Sequence, residues 1–233
     1  MRVAALVLAA GRGERFGAGR AKAFLPLAGR PLVVHAVEAL AACAAIEEIV
    51  PVLPAAEIAC LRAWQWSAVA ARKVVAPVAG GAERQDSMRA GLNALPAGVE
   101  LVAIHDAARP LVRPGDVARV VAAAARSGAA LLAVPLRDTL KRVREGRVIE
   151  TPPREGLWTA QTPQVFRAAL LREALAKAET DGFRGTDDAQ LVERLGHAVE
   201  IVEGDPSNLK ITWPADLAWA EACVEQRREE DAR

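Results

Sequence analysis

The sequence alternates short apolar runs with amphipathic helical patterns, and this alternation constrains the fold more than any other feature. Strand-like runs cover 3–8, 46–53, 73–78, 99–104, 129–134, 157–162 and 199–202. Helical periodicity opens around 29–31, with a proline in the first turn, and recurs at 55–66, 83–95, 116–126, 167–179, 187–195 and 214–226. The pattern predicts an α/β fold of three layers, in which a mostly parallel twisted sheet carries helices on both faces.

The rhythm changes at Pro135, where two short alternating runs replace the strand–helix pattern. The runs at 139–143 and 148–151 are joined by Glu145-Gly146, which is a hairpin signal. We therefore expect a protruding β-hairpin arm at about 136–156. Because no long linker is present, the arm should belong to a single domain spanning 1–228, followed by a frayed charged tail at 229–233.

Composition excludes several classes of protein. The formal net charge is +1, so neither a nucleic-acid partner nor an anionic membrane surface is expected. No apolar run approaches the ~20 residues of a membrane span, and the first residues lack the pattern of a signal peptide. The three cysteines, Cys43, Cys60 and Cys223, are scattered and lack metal-ligand spacing. A cytoplasmic location is the expectation.

The first apolar run leads into a glycine-bearing loop that is suited to a polyphosphate. Unpaired backbone N–H groups near Gly11 and Gly13 would face an anion, and Arg15 and Lys22 add full positive charge. Phe16 stands where a dinucleotide-binding loop would need a third glycine, and the Gly-Lys-Ser/Thr end of a Walker A loop is absent. Solvated surface charges are the alternative for either cation alone.

Further candidate residues follow other predicted strands. Asp106 comes directly after an apolar run, where a carboxylate with substrate phosphates is a usual Mg²⁺ arrangement, although an aspartate capping a turn is equally typical. Arg109 would grip a phosphate or pair with Asp106, and His105 is best interpreted as a packed ring. Lys210 lies in a loop between apolar neighbours, where an isolated surface lysine is the plain alternative.

Gly80-Gly81 permits close backbone approach to a flat ligand such as a base, or else forms a simple strand-to-helix turn. Ser87 would help to hold that ligand or would be an ordinary helix serine. The loops at 11–22, 80–87 and 105–110 all follow strands, and ligands bind outside the carboxyl ends of parallel strands. We therefore expect these loops to gather along one edge of the sheet.

Taken together, the motifs resemble a known family. They are LAAGRGERFG, AKAFLPLAGRPL, AGGAERQDSM, HDAARPLV, PLRDTLKR, GLWTAQTPQ, TDDA and NLKIT. They look like those of 2-C-methyl-D-erythritol 4-phosphate cytidylyltransferase, from residue 3 to about 220. The resemblance implies a Rossmann-like nucleotidyltransferase fold, with CTP and methylerythritol phosphate as substrates, Mg²⁺ or another divalent cation as cofactor, and pyrophosphate as a product of this step in non-mevalonate isoprenoid synthesis.

The resemblance also implies roles for individual residues. Arg15 and Lys22 match positions that stabilise the α-phosphate, and Arg154 and Lys210 match positions that aim the attacking phosphate. The nucleotide is expected to contact Ala10, Gly11, Gly13, Gly81, Ser87 and Asp106, of which Asp106 lies near the metal. Positions lining methylerythritol phosphate are Arg109, Thr139, Arg154, Thr162, Thr186 and Lys210. In the family the arm reaches across a homodimer, so Thr139 and Arg154 would serve the partner's site.

One departure and three alternatives stay open at this point. Ala21-Lys22-Ala23 stands where the family usually has Pro-Lys-Gln, so the lysine is kept without the stiffening proline. A ribitol 5-phosphate cytidylyltransferase would share the fold, the nucleotide loop and the arm. A non-catalytic nucleotide-binding module is disfavoured because Arg15, Lys22, Asp106 and Lys210 are all present, and Phe16 disfavours a dehydrogenase.

Overall fold

Strands and helices alternate along most of the chain in the computed structural model, which describes residues 1–11 and 21–231. The strands are β1 (Val3–Leu8), β2 (Pro26–Leu27), β3 (Arg30–Pro31), β4 (Glu48–Leu53), β5 (Val78–Ala79), β6 (Leu101–Asp106), β7 (Ala129–Pro135), β8 (Arg142–Arg144), β9 (Arg147–Glu150), β10 (Trp158–Arg167) and β11 (Glu200–Glu203). The helices are α1 (Leu32–Ala41), α2 (Ile58–Arg62), α3 (Ala68–Lys73), α4 (Arg84–Ala94), α5 (Pro114–Ser127), α6 (Ala168–Thr180), α7 (Ala189–Glu193) and α8 (Pro214–Asp231), with 3₁₀ turns at Lys22–Phe24 and Ala55–Glu57.

Seven of these strands form the central sheet, in the spatial order β11-β7-β10-β6-β1-β4-β5. β1 pairs in parallel with β4 and β6, β4 with β5, and β7 with β11. β10 alone runs antiparallel, between β6 and β7. The prediction of a mostly parallel sheet is therefore confirmed.

Helices cover both faces of the sheet, as predicted. Along β1, Val3, Ala5 and Val7 face a core shared with α1 and α5, whereas Leu6 and Leu8 face a second core shared with α4, α6 and α7. This alternation follows from the two-residue period of a strand, and apolar side chains in both registers make β1 a fully buried central strand. A smaller core lies beneath α8.

The hairpin is confirmed. β8 and β9 pair only with each other in a separate two-stranded sheet, and every residue of both strands is exposed. The turn residues Glu145 and Gly146 have φ values of 48° and 74°, the left-handed pair that a two-residue hairpin turn requires.

Two local predictions were wrong in the middle of the chain. Residues 68–73 form α3, with the Ser67 hydroxyl accepting a hydrogen bond from the Ala70 N–H, and only Val78–Ala79 forms a strand where 73–78 was expected. Alanine-rich helix formers after a capping serine explain this outcome. The helix predicted at 55–66 is also shorter, as the 3₁₀ turn and α2 end at Arg62.

Two boundaries near the end of the chain also differ. β10 continues through Pro163 to Arg167, because a register shift between Ala160 and Gln164 accommodates the proline. α8 runs to Asp231 instead of ending near 226, and Arg227 donates hydrogen bonds to the Leu111 carbonyl and to Ser207 Oγ. The last helix thus extends past its predicted end as far as Asp231, and 232–233 lie outside the described residues. Within the described parts of the chain, none of the helices has the length and apolarity needed to span a bilayer.

Candidate active site

The predicted site residues gather where the parallel strands end. β1 leads into Ala10-Gly11, β5 into Gly80-Gly81, and β6 ends at Asp106. These ends meet because β5, β4, β1 and β6 are successive parallel neighbours in the sheet. The loop after β11 brings Lys210 to the same place, where its Nζ lies 2.7 Å from Asp106 Oδ2.

One cavity at this edge contains most of the residues predicted for the nucleotide. It is lined by Leu8, Ala9, Ala10, Gly11, Lys22, Ala23, Gly81, Ala82, Glu83, Arg84, Ser87, Asp106, Ala107, Ala108 and Lys210. Lys22, Asp106 and Lys210 therefore share a cleft with the predicted nucleotide residues. Gly13 and Arg15 were also predicted here, but both lie outside the described residues.

A second cavity adjoins the first and contains predicted substrate residues. It is lined by Arg84, Asp106, Arg109, Ala160, Gln161, Thr162, Gln164, Thr186, Asp187 and Lys210. The two cavities share Arg84, Asp106 and Lys210, so one wall with two cations and a carboxylate faces both. Such an arrangement suits a reaction between two anionic substrates.

The Gly80-Gly81 turn beside the first cavity lets the backbone pack closely against the lining residues Ala10 and Ser87. A Cβ on Gly80 would lie 2.3 Å from the Ala10 Cβ and 2.7 Å from Ser87 Oγ. The Gly81 N–H donates to Ser87 Oγ at 3.2 Å, and the Ser87 hydroxyl donates to the Glu83 carbonyl at 3.1 Å. Ser87 thus holds the glycine turn against the start of α4.

Asp106 is ionised and has cations on both oxygens. Burial would raise the pKa of its carboxyl, but Arg84 and Lys210, with Arg109 nearby, bring that pKa below the usual range. Arg84 lies 3.1 Å from Oδ1, and Lys210 binds Oδ2. The carboxylate is therefore available at neutral pH as an acceptor or a metal ligand.

Arg84 lines both cavities but was not predicted as a site residue, and neither was its ion-pair partner Asp188. Two guanidinium nitrogens of Arg84 donate to the Asp188 carboxylate at 2.6 and 2.7 Å, while Nε donates to Asp106 Oδ1 at 3.1 Å. Both residues lie inside motif segments named above. Because 104 positions separate them, no local pattern revealed that they pair.

A buried hydrogen-bonded chain fixes the backbone at Asp106. The Asp106 N–H donates to Thr162 Oγ1, whose hydroxyl donates to His105 Nδ1, and His105 Nε2–H donates to the Arg109 carbonyl; each bond is 3.0 Å long. Burial lowers the pKa of His105 to about 4, so its ring is neutral near pH 7. His105 is thus the packed ring that the sequence predicted.

Arg109 is a buried cation held by backbone carbonyl groups. Its Nη1 donates to the Asn208 carbonyl at 2.8 Å and its Nη2 to the Ala160 carbonyl at 3.0 Å. Among the described residues its side chain forms no ion pair with Asp106, and its buried Nε has no hydrogen-bond partner. This geometry favours the phosphate-gripping interpretation over the alternative of an Arg109–Asp106 pair.

Of the three remaining predicted substrate residues, one lines the second cavity and two lie in the arm. Thr186 lines the second cavity, and its N–H and hydroxyl donate to Gln190 Oε1 at the start of α7. Thr139 and Arg154 lie in the arm and line neither cavity of the described chain. Arg154 is exposed and donates to the Arg137 carbonyl.

The donor set limits how a metal ion could be held. Among the described residues there is no group of three or more histidine, cysteine, aspartate or glutamate side chains that could form a metal site. Mg²⁺ in proteins is usually bound by one or two carboxylates together with substrate phosphates. Asp106 in the shared wall fits a site in which one carboxylate and the substrate phosphates hold the ion together.

A mostly parallel sheet covered by helices on both faces, with two adjoining cavities that share a charged wall at its edge, is an arrangement typical of a nucleotidyltransferase. The family model for 2-C-methyl-D-erythritol 4-phosphate cytidylyltransferase matches residues 3–226. The chain belongs to that family, which confirms the resemblance drawn from the motifs.

Individual relatives of the same name agree along their full length. The protein of Pelotomaculum thermopropionicum is 47% identical over 228 residues, covering 97% of this chain and 96% of its own. The protein of Geobacillus kaustophilus is 45% identical over 234 residues, covering 99% of this chain and 100% of its own. The crystal structure of the Thermus thermophilus protein matches with a TM-score of 0.78 at 40% identity, covering 97% of this chain and 100% of the other.

Proposed function

We propose that this protein transfers a cytidylyl group from CTP to 2-C-methyl-D-erythritol 4-phosphate, giving 4-CDP-2-C-methyl-D-erythritol and pyrophosphate in the non-mevalonate isoprenoid pathway. The observation that carries the proposal is the wall of Arg84, Asp106 and Lys210, which faces both cavities. Relatives that bear the enzyme's name over their full length support the choice of substrates.

The reaction is an in-line displacement at phosphorus. A phosphate oxygen of methylerythritol phosphate forms a bond to the α-phosphorus of CTP, and the bond from that phosphorus to the bridging oxygen breaks. Pyrophosphate leaves with the electron pair. The nucleophile is already an anion, so no general base is needed and the barrier is largely electrostatic.

The residues around the cavities divide this work. Backbone and hydroxyl groups hold the nucleotide, and they belong to Ala10, Gly11, Gly13, Gly81 and Ser87. Lys22, with Arg15, opposes the negative charge that builds up at the α-phosphate. Lys210 and Arg154 aim the attacking phosphate. The binding site for the polyol is lined by Arg109, Thr139, Thr162 and Thr186. Placement of both substrates turns an encounter into a near-unimolecular step, worth up to ~7–11 kcal/mol.

Mg²⁺ is the proposed cofactor, held by Asp106 together with the phosphates of CTP. When bound, it would neutralise part of the charge on those phosphates. Lys22 and Lys210 would oppose the remaining negative charge, since they line the same cavity as Asp106.

The proposed functional unit is a homodimer joined through the arm. Val143, Val148 and Ile149 are more than half exposed on the two hairpin strands, at 55%, 59% and 51%. Leu157 and Trp158 at the base of the arm are each 42% exposed. Apolar side chains at such density favour contact with a second copy, which would take Thr139 and Arg154 to the partner's site. We further propose a cytoplasmic location, which the scattered placement of Cys43, Cys60 and Cys223 along the sequence supports.

The decisive test is incubation with CTP, methylerythritol phosphate and Mg²⁺, with the product identified by mass and pyrophosphate measured in parallel. We expect 4-CDP-2-C-methyl-D-erythritol and equimolar pyrophosphate. Ribitol 5-phosphate offered at equal concentration should be a poor competitor. Preferential formation of CDP-ribitol would overturn the substrate assignment, and binding of CTP without pyrophosphate release would overturn the activity.

A further inference from the structure

The side chain of Arg84 holds two carboxylates at once. It donates to both oxygens of Asp188 and to Oδ1 of Asp106. The Asp188 side chain is only 1% exposed and that of Asp106 is 11% exposed. A planar guanidinium that bridges two buried carboxylates has little freedom to rotate, because each bond fixes its plane.

Asp188 is itself held from the central sheet. Its N–H donates to Gln164 Oε1 at 3.1 Å, and the Ala189 N–H donates to the same oxygen at 2.9 Å. Gln164 is buried on β10, where it pairs with Ile104 of β6, two residues before Asp106. A continuous chain of contacts thus runs from the sheet through Gln164, Asp188 and Arg84 to the carboxylate at the end of β6.

The two cations on Asp106 are held differently. Lys210 reaches Oδ2 through a flexible side chain that is 44% exposed, whereas Arg84 reaches Oδ1 while anchored at two further points. Burial by itself would lower the pKa of Arg84, but the charges of Asp188 and Asp106 raise it overall, so the guanidinium stays charged. Arg84 also lines both cavities.

We propose that Arg84, anchored by Asp188, is a positioning residue that orients the Asp106 carboxylate toward the metal-bearing nucleotide and keeps one fixed positive charge between the two substrates. The inference rests on the proposed function and deepens it. Arg84 holds Oδ1, which leaves Oδ2 as the oxygen that exchanges its lysine partner for a ligand. A pair that served only to join α4 to the start of α7 would affect stability alone.

Arg89 supplies a matched control. It lies on the same helix and also bridges two carboxylates, Asp86 at 2.6 Å and Glu179, but it lines neither cavity. The comparison is therefore between Arg84→Lys and Arg89→Lys. Lysine keeps the charge and loses the planar fork, so each substitution removes the bridge without removing the cation.

The first readout is Mn²⁺ binding, which is measured by electron paramagnetic resonance. The nucleotide in this measurement is a CTP analogue that has a methylene in place of the α,β-bridging oxygen. We expect Arg84→Lys to weaken Mn²⁺ binding about 10-fold, as loss of a ligand-orienting partner does, and Arg89→Lys to stay within about twofold of wild type. In turnover, Arg84→Lys should lower kcat/KM for CTP by roughly 10²-fold. Equal Mn²⁺ affinity in Arg84→Lys and wild type, or equal losses in the two variants, would overturn the proposal.

A second variant covers the case in which Arg84→Lys does not fold. Arg84→Gln combined with Asp188→Asn removes both charges together, so neither position is left with an unpaired buried charge. This double variant should unfold near the wild-type temperature, yet its affinity for Mn²⁺ with the nucleotide should be lower than that of wild type. An affinity equal to that of wild type would refute the orienting role. If wild type makes no product from CTP and methylerythritol phosphate, the proposed function fails, while the Mn²⁺ comparison still tests Arg84.

Discussion

The Nζ of Lys22 donates a hydrogen bond to the backbone carbonyl of Ile211 at 2.9 Å. This bond ties the segment after the glycine loop to the loop that carries Lys210. Asn208 secures the same loop, because its amide donates to the side chain of Gln161 and the carbonyl of Thr162. The two lysines are therefore held in one cleft although nearly the whole chain separates them.

Lys22→Ala should lower turnover far more than it weakens CTP binding. If Lys22 opposes charge that grows at the α-phosphate, its removal affects the transition state most, and one such donor is typically worth about 10²–10³ in kcat. Steady-state kinetics and calorimetric titration of CTP measure the two effects separately. Equal losses in kcat and in CTP affinity would count against this role.

Lys73→Ala is the matched control for that experiment. Lys73 also donates to backbone carbonyls, those of Ala41 and Cys43, but it lines neither of the two cavities. We expect some loss of stability from its substitution and unchanged kcat. A similar fall in kcat for both variants would mean that Lys22 acts through folding.

How much the sequence alone predicts depends on whether the signal is local. The apolar run at 3–8 has the bounds of β1, and the turn at Glu145-Gly146 has the backbone that its hairpin requires. Each of these is encoded within a few residues. The motifs indicated the family for the same reason, since each motif is a short continuous segment of the sequence.

Long-range pairing is what the sequence did not reveal. The antiparallel insertion of β10 between β6 and β7 depends on partners far away in the chain. The same holds for Arg84, whose bond to Asp188 forms only after α4 and α7 have packed on one face of the sheet. Side chains that act through each other are visible only once the fold brings them together.

Gly80→Ala should damage the nucleotide cavity. Its new Cβ would lie 2.3 Å from the Ala10 Cβ, a contact that forces the backbone apart, and such overpacking typically costs about 1–3 kcal/mol. We expect CTP affinity to fall about 10-fold or more, measured by calorimetry, with a lower free energy of unfolding. Gly115→Ala on α5 is the control, because nothing lies within 4 Å of its added Cβ. That variant should be neutral or slightly stabilised, and a wild-type CTP affinity in Gly80→Ala would contradict the prediction.

His105 should make folding stability depend on pH. Its pKa is lowered by burial to about 4 from 6.5, so the unfolded chain takes up a proton at a pH where the native state does not. The contribution of the neutral His105 ring to the free energy of unfolding is complete above pH 6.5 and is lost as the pH falls toward 4. At about 1.4 kcal/mol per pH unit, this interval corresponds to roughly 3 kcal/mol.

Denaturant unfolding between about pH 7 and 4 tests the sign. His105→Gln should be less stable than wild type near pH 7, yet it should lose about 3 kcal/mol less on acidification. Burial also lowers the pKa of His35, but that contribution is common to both proteins and cancels in the difference. Parallel pH curves for the two proteins would show that His105 is not buried as a neutral ring.

Arg154→Ala tests the exchange of arms between subunits. Arg154 lines neither cavity of its own chain, so the proposed dimer requires it to act in the partner's site. Arg154→Ala and Lys22→Ala should each be nearly inactive, the former mainly through poor use of methylerythritol phosphate. After subunit exchange in a one-to-one mixture, half the dimers carry one intact site of two, so activity should recover to about a quarter of wild type. A mixture of Lys22→Ala with Lys210→Ala should recover nothing, because both residues line the same cavity of one chain. If the Arg154 mixture stays as inactive as that control, Arg154 does not serve a neighbouring subunit.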